Sequence, residues 1–477
     1  MNLQQKTIRG MFWSGINNWG SQAVSFIIFL ILARLLTPSA FGLVALANIF
    51  INLLELFLCQ GFSQALIQKE KINDLEINTV FWTQILLGFL LTISTFCLSN
   101  FIAYRFNQPS LTPVLKCFSF LFIISSFSEI QRGLLVRNFA FKAIAIRNLL
   151  GVFFAGIIGI IMAFNNFGVW SLVGQQLTYE IIRVVVLWNT SDWRPKLQFS
   201  VTNLQNFMGF GISILGYKLT LFFNQRTDSL LVGYFLGEIT LGYYAIAHRI
   251  LQVMTQLLIG TLSQVSLPLF ARLQNDSQRF LETFYRTTQW TCLIAFPVFF
   301  ATIILSKELI ITVFGEKWIN VVPIMQILSL IGIIRSISLF QRSAFVALGK
   351  PNLQFKLELF NGILNLIFCL ISIRFGIKAI AMAYVLSDYV VFPIGQWVLS
   401  KLISLSWKTY LSNFLAPITC TLVMILVMIL SKKFLIINIE PSLTLIISSI
   451  IGFITYTLTL MIIFPLLFKQ IYTLIKP

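Results

Sequence analysis

Apolar runs of about twenty residues recur from Trp13 almost to the C-terminus, separated by short polar links. A run of that length makes a helix long enough to cross the hydrocarbon core of a bilayer. In lipid every backbone N–H and C=O must be satisfied within its own segment or a closed barrel, and runs this long and continuous select the helix. The sequence therefore predicts an all-α polytopic membrane protein. Fourteen spans are expected, near residues 13–36, 42–66, 79–103, 112–132, 144–164, 168–188, 205–227, 229–271, 288–306, 319–341, 357–374, 377–400, 411–431 and 443–468. The eighth contains a turn at Gly237-Glu238, so its helix proper is expected from Thr240. The first run is too long for a signal-peptide core and lacks a small-residue cleavage site, which predicts a retained first helix.

Composition agrees. Apolar residue types make up 57% of the 477 residues and charged ones 10%, too little charge to dissolve a globular domain of this size. The net charge of +18 would suggest nucleic acid in a soluble protein. Here the bases fall between apolar runs, where the positive-inside rule accounts for them and no nucleic-acid partner is expected. With a cytoplasmic N-terminus, 21 bases fall in loops on that side and ten on the other, which predicts that both termini face the cytoplasm. In this count Arg132, Arg147 and Arg183 are loop residues.

The two halves resemble each other. A shift of 200 residues aligns Leu30, Leu36, Gly42, Ala45, Ala47 and Leu58 with Leu230, Leu236, Gly242, Ala245, Ala247 and Leu258. A shift of 210 aligns Pro113, Ser119, Ser126, Ser128, Gln131 and Arg132 with Pro323, Ser329, Ser336, Ser338, Gln341 and Arg342. Six spans per half is an even number, so both halves enter the membrane in the same direction and the repeat is parallel. The expected organisation is an N-terminal lobe at 1–200, a C-terminal lobe at 201–405 and two additional helices at 406–477. Such architectures place substrate between lobes that rock against each other.

Polar residues inside the spans fall in stripes. Asn48, Asn52 and Glu55 share one face of the second span, and His248, Gln252 and Thr255 take the equivalent places on the eighth, beside Arg249. Asn18 lies on a similar stripe of the first span, with Lys218 at the matching place on the seventh. Matching polar faces in both lobes point to a shared aqueous cavity; interhelical hydrogen bonding is the plainer use of the same residues. Lys218, Arg249 and Arg335 are bases within spans and must pair with a carboxylate such as Glu55, Glu129, Glu180 or Asp388, snorkel, or face water. Pairing or snorkelling is expected for Arg335, and the cavity for Lys218 and Arg249. Tyr217 and Tyr244 stand nearby as aromatic contacts for a sugar. The six cysteines lie in apolar stretches without a CxxC pair, and with one histidine no zinc site can be assembled, so the cysteines are read as packing residues.

Three segments carry a family resemblance: Thr7-Ile8-Arg9-Gly10 with Trp13; Leu32-Ala33-Arg34-Leu35-Leu36-Thr37-Pro38-Ser39-Ala40-Phe41-Gly42; and Asp228, Gly233 and Leu236-Gly237 with Leu241-Gly242-Tyr243-Tyr244. They resemble the polysaccharide-export branch of the multidrug/oligosaccharidyl-lipid/polysaccharide flippase superfamily, over nearly the whole chain. The resemblance implies a two-lobed fourteen-helix fold, alternating access, and an undecaprenyl-diphosphate-linked oligosaccharide as substrate in a bacterial plasma membrane. It also implies no prosthetic cofactor and a monomer working beside polymerase and export machinery. Related lipid II flippases use a cation site, which Asp228, Asn361 and Asn365 resemble. Asn at the last position reduces the site's charge, and sodium or a proton would be the coupling ion.

Two other functions compete. A membrane polymerase or glycosyltransferase would need acids or bases in a substantial outer loop; the outer loops are short, only 16 acidic residues exist, and no P-loop or metal-ligating acidic cluster occurs. A cation-coupled multidrug antiporter would favour carboxylates over bases in the cavity, whereas Lys218 and Arg249 suit an anion.

Overall fold

Helices make up most of the described residues, and no strand occurs among them. The computed structural model describes residues 3–58, 66, 69, 72–435 and 440–475. Cys59 lies outside them, and so do the side chains of Asn18 and Tyr217. Two compact units divide at Ala245/Ile246.

The first unit holds α1 (Leu3–Leu35), α2 (Pro38–Leu58), α3 (Asp74–Arg105), α4 (Leu111–Arg137), α5 (Phe141–Phe164), α6 (Val169–Thr190) and the first part of α7 (Val201–Thr255). The second holds the rest of α7, a π-helical turn at Gln256–Gly260, α8 (Thr261–Leu273), α9 (Ser277–Ile304), α10 (Ser306–Val313), α11 (Val321–Ala347), α12 (Pro351–Ser372), α13 (Ile377–Leu402), α14 (Trp407–Ser412), α15 (Leu415–Leu435), α16 (Pro441–Ile463) and α17 (Pro465–Ile475). Pro351 and Pro441 open their helices, where proline's fixed φ fits and no N–H is needed. Gly237 breaks α7 with φ 82° and ψ 178°, at the turn expected from the sequence.

The surface is that of a membrane protein. Along α3, Leu86, Phe89, Leu90, Ile93 and Phe96 are exposed, while Thr79, Thr83, Gln84, Thr95 and Ser99 are buried. Apolar side chains meet lipid, and polar ones turn inward. Eleven segments among the described residues are long and apolar enough to cross a bilayer. The three expected spans missing from that set have physical reasons. The described apolar stretch of α1 is short, Lys218–Leu273 counts once although Gly237 divides it, and α6 is diluted by Gln175, Gln176, Glu180 and Arg183.

Without a hydrophobic force between helices in lipid, close packing relies on small side chains. On α5, Gly151, Ala155, Gly159 and Ala163 recur every fourth residue and are buried. A Cβ on Gly159 would lie 3.0 Å from Gln175 of α6, and one on neighbouring Gly156 only 2.1 Å from Ile28 of α1. Arg147 is one turn before Gly151 on this same buried ridge. In the second unit, the additional helices α15 and α16 pack on α9 through Leu293, Ala416, Cys420 and Leu460. The Tyr456 hydroxyl donates to the Leu293 carbonyl at 2.7 Å, and Lys432 reaches Glu308 at 2.9 Å.

The cysteines divide. Cys292, Cys369 and Cys420 are buried, as expected of packing residues, but Cys97 is exposed on the apolar outer face of α3.

Candidate functional site

Each unit contains a polar, charge-balanced cluster built on its spanning helices. In the first, the stripe of α2 meets α4, α5 and α6. Asn48 accepts from Gln176 Nε2 at 3.0 Å, the interhelical amide contact that membrane interiors favour. Further along that face stands Glu55, within electrostatic reach of Glu129, Arg132, Glu180 and Arg183. Glu129 pairs with Arg132 at 2.9 Å, and Glu180 pairs with Arg183, each three residues apart on one helix. The Arg183 guanidinium also lies 5.1 Å from the Tyr179 ring. Arg147 is only 3% exposed, and its Nε and one terminal nitrogen donate to Asn148 Oδ1 at 3.0 and 2.8 Å.

This is a correction to the charge count. Arg132, Arg147 and Arg183, assigned to loops, lie within α4, α5 and α6 with Arg147 fully enclosed. Three acids and three bases face one another there, so the charge is balanced inside the protein. The register of Arg147 with the Gly/Ala ridge, and the three-residue spacing of the two ion pairs, were the sequence signals for it.

The second cluster lies on α11, α12 and α13. Arg335 reaches Asp388 at 3.6 Å and donates to the Tyr384 hydroxyl at 2.7 Å, so the expected carboxylate pairing of Arg335 is met by Asp388. Asn361 Nδ2 donates to the same carboxylate at 2.7 Å. One turn before Asn361, Glu358 accepts from Gln354 Nε2 at 2.9 Å and pairs with Arg342 at 3.2 Å. The His248 ring stands 5.5 Å from Tyr384. Arg342, Gln354, Glu358, Asn361 and Asp388 also line a cleft with Ser338, Gln341 and Phe392, beside Ile334, Leu357, Val391 and Gly395.

The remaining expected site residues are divided between the two units. Lys218 and Asn52 are half-buried in the first unit; Arg249 is half-buried and Gln252 exposed in the second. Tyr244, expected to touch sugar, is instead fully buried, and its hydroxyl donates to Asp228 Oδ2 at 2.6 Å. Asp228 is likewise fully buried, and both belong to the first unit. Asn361 and Asn365 belong to the second, where Asn365 Oδ1 accepts from Cys369 Sγ at 3.2 Å. Among the described residues no group of three His, Cys, Asp or Glu side chains is placed to hold a metal ion.

Residues 31–323 match the sequence family described as "Polysaccharide biosynthesis protein". The chain belongs to this polysaccharide biosynthesis family. It is 24% identical over 422 residues to the lipopolysaccharide biosynthesis protein WzxC of Escherichia coli, covering 87% of this chain and 86% of that one. It is also 24% identical over 329 residues to the succinoglycan biosynthesis transport protein ExoT of Rhizobium meliloti, with coverage of 69% and 67%. Among solved structures it resembles the lipid II flippase MurJ, with a TM-score of 0.80 at 15% identity, over 96% of this chain and all of that one. At that identity the likeness is one of fold. For this family member, Tyr384 and Glu358 are the functional candidates that sequence reading passed over, and Asp388 was named only as a possible partner of an intramembrane base. Their ion-pair and cross-helix partners lie on another helix, beyond any local spacing rule, although Gln354 stands four residues before Glu358 on the same helix.

Proposed function

We propose that this membrane protein is a flippase, moving a lipid-linked oligosaccharide from the inner to the outer leaflet by alternating access. The observation that carries the reading is the pair of charge-balanced polar clusters inside the spanning helices of both units. An intramembrane charge costs roughly 2.5–3.5 kcal/mol on insertion scales and is kept where it serves a passage or a partner. A sugar chain brings hydroxyls that need donors and acceptors, and a diphosphate brings charge that needs cations. Half-buried Lys218 in the first unit and Arg249 in the second each offer a cation. Arginine suits phosphate through its planar fork, and lysine acts as a movable point charge. Asn48, Asn52 and the amides beside them suit the sugar.

The relatives' printed roles in lipopolysaccharide biosynthesis and succinoglycan transport support a transporter rather than an enzyme. The reading places the chain in a bacterial plasma membrane with both termini cytoplasmic, acting on an undecaprenyl-diphosphate carrier. Buried Asp228 is the carboxylate through which a sodium ion or proton would couple to transport. A deletion strain tests the function. Radiolabelled lipid-linked sugar should accumulate on the inner leaflet and clear when the gene is restored. Accumulation of single repeat units on the outer leaflet would instead indicate a polymerase.

A further inference from the structure

We infer that the cleft of the second unit between α11, α12 and α13 is a sugar-binding subsite, holding part of the oligosaccharide during transport. The inference rests on the flippase reading. The cleft is lined by charged, polar and aromatic side chains, the mixture that small-molecule sites use to orient a ligand. Donors and acceptors alternate around it. Arg342, Gln354 and Gln341 carry N–H groups, Glu358 and Asp388 carry carboxylate oxygens, and Ser338 and Asn361 supply both kinds. Phe392 adds an apolar ring face, against which the C–H side of a pyranose can lie.

Charge decides what kind of ligand this lining suits. Glu358 is paired with Arg342 and Asp388 with Arg335, so each carboxylate in the cleft already has its cation. A metal ion would have to displace an arginine, and an anion would meet two carboxylates. A neutral, polyhydroxylated ligand meets neither penalty and uses both hydrogen-bonding senses. One atom marks the place. Asn361 is 8% exposed and spends its amide nitrogen on Asp388, while its carbonyl oxygen is buried without a hydrogen-bond partner among the described residues. A buried acceptor left open costs free energy that a ligand hydroxyl would restore.

The test uses the purified full-length protein in nanodiscs. Its affinity is measured for undecaprenyl diphosphate alone and for the same lipid bearing one glucose, galactose or N-acetylglucosamine. The wild type should bind at least one sugar-bearing form about tenfold more tightly than the bare lipid. Asn361→Leu and Gln354→Ala should each bring that ratio towards one and leave affinity for the bare lipid unchanged. Gln354 is only half-buried, so its variant keeps the test open if Asn361→Leu fails to fold, which thermal unfolding would reveal. Equal affinity for all four lipids in the wild type, or a ratio that survives in a folded variant, overturns the subsite while leaving the flippase reading intact. Failure of the wild type to bind any of the lipids overturns both.

Discussion

Gly42 and Gly242 face each other's helix starts so closely that neither has room for a side chain. A Cβ on Gly42 would lie 1.8 Å from the Glu238 carbonyl oxygen, and one on Gly242 would lie 2.0 Å from that of Pro38. The two glycines align at the 200-residue shift of the internal repeat, as do Pro38 and Glu238, so the contact is reciprocal. Ser39 adds a hydrogen bond to Glu238 Oε1. Backbone atoms cannot move aside as a flexible side chain can. Gly42→Ala should therefore force the two helix starts apart and destabilise the protein by about 1–3 kcal/mol, the usual cost of overpacking. Thermal unfolding in detergent measures this. Gly216→Ala, at a site with nothing within 4 Å, is the control and should leave the midpoint nearly unchanged.

The Tyr244–Asp228 hydrogen bond should be worth about 1.5–3 kcal/mol, as expected for a bond to a charged acceptor. Tyr244→Phe removes the donor and keeps the ring, so the unfolding midpoint should fall. Asp228→Asn keeps an acceptor for Tyr244 and removes the charge. If Asp228 couples an ion, transport driven by an imposed sodium or proton gradient should be lost in Asp228→Asn while the fold persists. Gradient-driven transport at the wild-type rate in that variant would rule the residue out as the coupling carboxylate.

The Arg335–Asp388 pair supports a test by double substitution. Arg335→Gln leaves the half-buried Asp388 without its cation, which should cost about 1–3 kcal/mol. Adding Asp388→Asn removes the stranded charge and should recover most of that loss. Unfolding midpoints of the two singles and the double give the coupling directly. A double variant no more stable than Arg335→Gln would mean that the pair is not the arginine's main support.

The parts of this fold legible in the sequence are those that depend on local pattern. Helix lengths, the break at Gly237 and the Gly42/Gly242 correspondence follow from run length, turn chemistry and repetition. The candidate site was legible only in part. Asn48, Glu55 and Arg335 stood out as polar residues inside apolar runs, and Asp388 was named among carboxylates able to pair with Arg335. Arg147 and Arg183 did not stand out, because they lie near the ends of their runs, where a base at a loop and a base turned into the protein look alike. Tyr244 gave no sign that its hydroxyl is occupied by a carboxylate sixteen residues earlier, across the helix break. Asn361's partner lies on a different helix, and only packing of α12 against α13 brings the two together.

Both termini should face the cytoplasm: with Arg132, Arg147 and Arg183 removed from the 21 bases counted on that side, 18 remain there against ten on the other. Reporter fusions placed after Lys408 and after Lys476 should each give a cytoplasmic signal. A periplasmic signal at either position would contradict that topology.

The most direct test of the account is reconstitution. Purified protein in liposomes carrying a radiolabelled undecaprenyl-diphosphate-linked oligosaccharide in both leaflets should bring the inner-leaflet label to the outer leaflet, where an added glycosidase removes it. The account predicts cleavage of nearly all the label in liposomes that contain the protein, against only the initial outer-leaflet share in liposomes without it. Cleavage that stays at the protein-free level under an imposed sodium or proton gradient would contradict it.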